Sequence, residues 1–184
     1  MVLDCYRPRA EWFSHDPYWI HGFNHVARVL VWANRLAEAL AARGGGVDVE
    51  TVRWAAALHD LGRHDDGRDP QHGERSALWV EQNQSLLPVE LPVGRLAKVA
   101  YCCRWHVPRD AEAPEMTPEL ACLKDADGLD RVRIIDLDPH QLRLPEARSF
   151  VDASWGLCRA TVPIDRDDPW GQVRQAARAR DLWP

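Results

Sequence analysis

The stretch HGFNHVARVLVWANRLAEAL, His21 to Leu40, reads as one long amphipathic helix, and the fold class follows from it. Val26, Val29, Leu30, Ala33, Leu36, Ala37 and Leu40 recur at helical spacing, and Gly44-Gly45-Gly46 stops a run that spans 17–43. His25 lies four, seven and eleven residues before Val29, Trp32 and Leu36, which places its imidazole on the inward stripe at the core's edge. An inward imidazole needs a partner, because a buried polar group without one costs free energy.

The same periodicity recurs downstream. Asp48 can cap a second helix whose Val52, Ala55, Ala56 and His59 share one stripe, with Asp60 about 100° further round near the helix end. Residues 63–69 read as a charged loop. Asp69 as cap and Pro70 in the first turn open a third helix to about Gln84, and the stripe of Leu96, Val99, Ala100 and Cys103 reaches His106. Thr117-Pro118-Glu119 starts a helix running to about Asp130. In it Asp127 falls nearly in line with Leu120 and Asp125 is turned about 140° away, so Asp127 is the expected buried carboxylate. The best strand signal, Val132 to Leu137, is short and isolated, and helical runs at 145–159 and 169–181 close the chain. We expect an all-α, single-domain helical bundle. Residues 1–135 would carry the metal-binding part, and 136–184 a C-terminal helical extension packed on the same domain.

Composition narrows the function. With 184 residues, 46% hydrophobic and 28% charged, the chain can bury one sizeable core. A net charge of −5 argues against nonspecific nucleic-acid binding, so an anionic substrate would need a local cationic site. The N-terminus has neither the basic start nor the apolar run of a signal peptide, and no run is long enough for a membrane span. Five cysteines without C-x-x-C spacing read as reduced thiols in a cytoplasmic protein. Most of the nine tryptophans read as core, with Trp105 beside His106 as the exception to watch. Cys102-Cys103 reads as a packing pair, and His15, His64 and His140 as solvated.

His25, His59-Asp60, His106 and Asp127 belong to separate helices, and core-facing imidazoles and carboxylates from different helices are best reconciled by a shared divalent cation. The dipeptide alone is weak, since His15-Asp16 and His64-Asp65 also occur and about one such pair is expected by chance. Two imidazoles and two carboxylates suit Mn, Mg, Co, Ni, Fe or Zn alike.

Taken in order, HGFNHVARV (His21 to Val29), AALHDLGR (Ala56 to Arg63), DPQHGERSA (Asp69 to Ala77) and DADGLD (Asp125 to Asp130) resemble the HD-domain superfamily of metal-dependent phosphohydrolases over roughly residues 17–135. The resemblance implies His25, His59, Asp60 and Asp127 as metal ligands, in agreement with the helical phase. It matches His72 and His106 to positions where some relatives carry extra histidines, for a second metal or for a phosphate. Phosphate contact or acid catalysis is the leading expectation for both, with Arg63 as a phosphate clamp. Arg28 reads as a surface or salt-bridge residue, and His21 as support for the site. The departures limit what is inherited. No glutamate follows the His-Asp pair as in the HD nucleotidases and alarmone hydrolases, with Asp65 or Asp66 as the substitute acid. The long HD-GYP signature is missing, and Gly128 stands where many relatives have arginine. The nearest likeness is to small bacterial HD hydrolases of unassigned substrate.

The expected function is hydrolysis of a small phosphorylated metabolite, with nucleotides the leading class, at a metal-activated water. No membrane partner is expected, and an oligomer is compatible with the sequence. Two alternatives come from other classes: a dinuclear iron oxygenase in which His72 and His106 complete a six-ligand set, and a non-catalytic ligand-binding module.

Overall fold

The computed structural model describes residues 3–184, and among these every regular element is helical. The α-helices are α1 (Phe23–Ala42), α2 (Val49–Leu58), α3 (His72–Gln82), α4 (Val93–Trp105), α5 (Pro118–Asp130), α6 (Pro145–Ser149), α7 (Val151–Arg159) and α8 (Pro169–Arg178). No helix among the described residues is long and apolar enough to cross a membrane.

Local chemistry sets most of the boundaries. The Asp48 carboxylate accepts from the Glu50 and Thr51 N–H groups at the start of α2, and the Thr117 hydroxyl accepts from Leu120 N–H ahead of Pro118 in α5. Three expectations are corrected, and the isolated strand signal resolves as a turn. The helix expected from residue 17 begins at Phe23, because Asp16 and Pro17 fold the preceding residues into turns, with Pro17 O accepting from Phe23 N–H at 2.8 Å. The third helix begins at His72 rather than Pro70; Asp69 spends its carboxylate on Arg75 and on the His64 N–H instead of capping. The strand-like run after Val132 is a 3-10 turn, Arg131–Ile134, ended by Ile135 in the left-handed region at φ 57°. The run at 145–159 is two helices that meet at Phe150.

Helix α1 is the spine. It packs against α2, α5 and α8, while α3 packs on α4 and α2 touches both α4 and α5. Leu30, Trp32 and Leu36 are wholly buried along it, and α8 covers it with Trp170, Val173 and Ala177. One apolar core therefore runs from Leu3 to Trp183 through the C-terminal helices. The chain reverses so that α2, α4 and α5 bring their C-terminal portions, and α1 and α3 their N-terminal portions, to one side. Two glycines permit the close crossings there. A Cβ on Gly62 would lie 2.6 Å from Ser76 N, and one on Gly73 would lie 2.7 Å from Cys103 O. The first presses the turn after Asp60 onto α3; the second presses α3 onto α4 just where His72 and His106 meet.

Candidate metal centre and its cleft

His25 sits in the first turn of α1, His59 and Asp60 just past the end of α2, His72 at the first position of α3, and His106 just past the end of α4. Asp127 comes from the C-terminal half of α5. All four imidazoles and Asp60 are buried.

The tautomers follow from the partners. His59 Nδ1 faces Ala56 O at 2.8 Å, His106 Nδ1 faces Cys103 O at 2.6 Å, and His72 Nδ1 faces Asp69 O. A carbonyl oxygen only accepts, so each Nδ1 carries its hydrogen and donates. His25 Nδ1 donates in the same way to Asp130 Oδ2 at 2.8 Å. In the neutral rings every Nε2 is then a bare lone pair. Those lone pairs meet in two couples, His25 with His59 at 3.2 Å and His72 with His106 at 3.0 Å. Two lone pairs cannot hydrogen-bond each other. A cation between them, a metal ion or a proton, resolves the contact.

Asp60 lies between the couples. Its Oδ2 is 3.3 Å from His25 Nε2 and its Oδ1 is 3.0 Å from His72 Nε2 and 3.7 Å from His106 Nε2. Asp127 Oδ1 is 3.5 Å from His25 Nε2. Donors that share an ion at about 2.1 Å lie about 3.0 to 3.4 Å apart, so both clusters fit a divalent cation. His25, His59 and Asp127 form one such group, and His59, Asp60 and His106 a second.

Charges in the cluster respond to this crowding. Burial works against Asp60, but the surrounding imidazoles, His59 foremost, hold its carboxyl well below the ordinary range. Burial drives His59 down to about 3, so it is neutral at any ordinary pH. Burial also opposes a charge on His72, yet the hydrogen bond and the negative charge of Asp60 together outweigh it and raise that imidazole above its usual value.

Sequence periodicity misplaced one carboxylate. Asp125, expected to point away, is wholly buried and accepts from the backbone N–H groups of Arg143 and Leu144. Asp127 keeps 30% of its side-chain surface exposed, facing the cleft. It also missed Asp130, whose buried carboxylate joins His25 Nδ1 to Arg28 through contacts of 2.6 and 3.0 Å from the guanidinium. Arg28 is thus a buried salt-bridge residue. Its spacing of three from His25 was the available signal, since the two share a face and one anion can serve both.

Arg63 donates to Asp60 Oδ2 at 3.2 Å and to the carbonyl of Gly67 at 3.1 Å, so it ties the loop to the centre while still lining the cleft. His21 donates to Asp66 at 2.8 Å and stacks edge-on against His25. Trp105 is half-buried against the core and does not line the cleft. His15 is not solvated as expected: both ring nitrogens are buried, edge-on to Phe13. The cleft itself holds about 820 Å³, with His72, His106 and Asp127 at its floor and Ile20, Ile134 and Leu142 on its walls. Gly128 leaves room there, because a Cβ would already lie 3.2 Å from Leu142 Cδ2.

Fold and site together define an all-α protein with His/Asp groups that could hold a metal ion. The chain belongs to the HD-domain family, whose model matches residues 22–132, and that family is one of metal-dependent hydrolases. No curated protein and no solved structure matches the chain.

Proposed function

We propose that this protein is a metal-dependent phosphohydrolase acting on a small phosphorylated metabolite, with nucleotides the leading class. The observation that carries the proposal is the pair of lone-pair couples flanking Asp60 at the floor of an open cleft. His25, His59, Asp60 and Asp127 would hold one ion, and His72 and His106, beside Asp60, would hold a second. That assignment departs from phosphate contact for the two histidines, because their Nε2 atoms lie 3.0 Å apart with no hydrogen for either to donate. Divalent ions so held supply an acidified water and neutralise charge on phosphoryl oxygens.

The chain's own residues do the rest. Asp130 and Arg28 lock the tautomer and orientation of His25. Arg63 steadies Asp60 and presents its guanidinium edge to a phosphate entering the cleft. The cleft volume suits a nucleotide-sized compound. A reducing cytoplasmic setting belongs to the same reading, supported by the buried thiols of Cys102, Cys103, Cys122 and Cys158.

The test is a screen of nucleoside mono-, di- and triphosphates and sugar phosphates with Mn, Co or Mg, beside His59→Ala and Asp60→Ala. We expect phosphate release by the wild type, and loss of both metal and turnover in the variants. Full activity in either variant overturns the reading. The six-ligand geometry also suits a dinuclear iron oxygenase; two irons per chain with oxygen consumption would select it. No cleavage across the panel would favour a non-catalytic binding module.

A further inference from the structure

Lys124 stands three residues before Asp127 on α5, about 4.5 Å of axial rise away, and its side chain is only 4% exposed. A buried ammonium must be paired, and this one donates to Pro108 O and to Asp110 Oδ1 at 3.2 Å. Arg143, from the segment beyond α5, grips the same Asp110 carboxylate through Nε at 2.9 Å and Nη2 at 2.6 Å, and reaches Asp125 and Gln141 O through Nη1. Two of the three ammonium donors and four of the five guanidinium donors are thereby used. One N–H on each cation has no acceptor among the described residues. Both side chains line the metal-site cleft, whereas Asp110, which holds them, does not. Neighbouring Arg109 also lines the cleft and has no carboxylate partner among the described residues. Lys124 and Arg143 share the Asp110 carboxylate and Arg143 also holds Asp125, while Arg109 adds a third cation to a cleft that Asp127, Asp136 and Asp138 line as well.

We propose that Lys124 and Arg143 form an anion subsite for a second phosphoryl group of the substrate, next to the one held at the metal centre. The substrate class is then a diphosphate rather than a monophosphate. Arg143 lies outside the residues that match the family model, so this preference belongs to the chain's own C-terminal part. The proposal rests on the phosphohydrolase reading but is tested by binding, so the two can fail separately.

The experiment is isothermal titration of the full chain, in excess magnesium, with inorganic pyrophosphate and with orthophosphate. Lys124→Met should weaken pyrophosphate at least about tenfold and orthophosphate less than about twofold, the loss expected for one charge-assisted contact. Lys124→Arg should recover most of that loss. Asp110→Asn keeps an oxygen acceptor for both cations and removes the opposing charge, so it should tighten pyrophosphate by about threefold. A merely structural network would weaken binding in both Lys124→Met and Asp110→Asn. That result overturns the subsite, as would pyrophosphate affinity within about twofold of wild type in Lys124→Met, or equal losses for the two anions. Should no phosphorylated compound be cleaved while these differences hold, the subsite stands and the catalytic reading falls.

Discussion

The two histidine couples look alike across Asp60, yet they are held by different means. His25 is fastened by a buried ion pair: Asp130 is wholly enclosed, and Arg28 and His25 share its two oxygens. His72 and His106, like His59, are held at Nδ1 by backbone carbonyls next to helix ends, and His72 also meets Asp60, beside the open cleft. An ion pair enclosed in the core has few alternative arrangements, whereas helix termini fray first. The difference makes the proposed metal position at His25 the firmer one, and the proposed position at His72 and His106 the more exchangeable.

The comparison can be broken at several points. The largest effect is expected at Asp130→Ala, which leaves Arg28 charged and alone in the core; losing one partner of a buried pair costs about 3–5 kcal/mol. Chemical denaturation should register that loss together with release of the metal at His25. A cost below about 1 kcal/mol would mean that the ion pair is not what fastens this half. Next in size, His106→Ala should remove one equivalent of metal, leave the other in place, and slow turnover by about 100-fold. Elemental analysis decides it, and loss of all metal would show that the couples do not load independently.

The smallest effect is a contrast in pH response of the metal-free protein. His59 refuses the proton that the unfolded chain accepts, so its contribution to stability falls away as pH drops from about 6.5 toward about 3. His72 has a raised value, so its contribution is fully present below the ordinary histidine range and disappears as pH rises through the raised one. Histidine titration by NMR should place His72 above and His59 far below the usual midpoint. Reversed order would refute the electrostatic difference between the halves.

Both α1 and α5 are buried on more than one side; on α1 every residue from Phe23 to Asn34 is buried, so nearly any direction there counts as inward. The spacing of His25 to Val29, Trp32 and Leu36 placed its ring inward, as almost any phase along α1 would. The same method misjudged α5, where Leu120, Leu123, Lys124, Asp125, Leu129 and Asp130 are buried on several sides. A helix enclosed nearly all round has no single inward direction, so phase could not separate Asp125 from Asp127. Motif order drew attention to His25, His59, Asp60, His72, His106 and Asp127, but not to Asp130 or Lys124, whose roles depend on partners far away in the chain.

By itself the sequence determined the all-helical character, the caps at Asp48 and Thr117, and the family, because periodicity, capping and motif order are local properties of a chain. Only the tertiary structure decided that four bare nitrogens meet in couples around Asp60, and that Asp130 rather than solvent fastens His25. Those facts depend on how helix ends from five segments cross within a few ångströms. Glycines at 62 and 73 permit that crossing, and no local pattern encodes it.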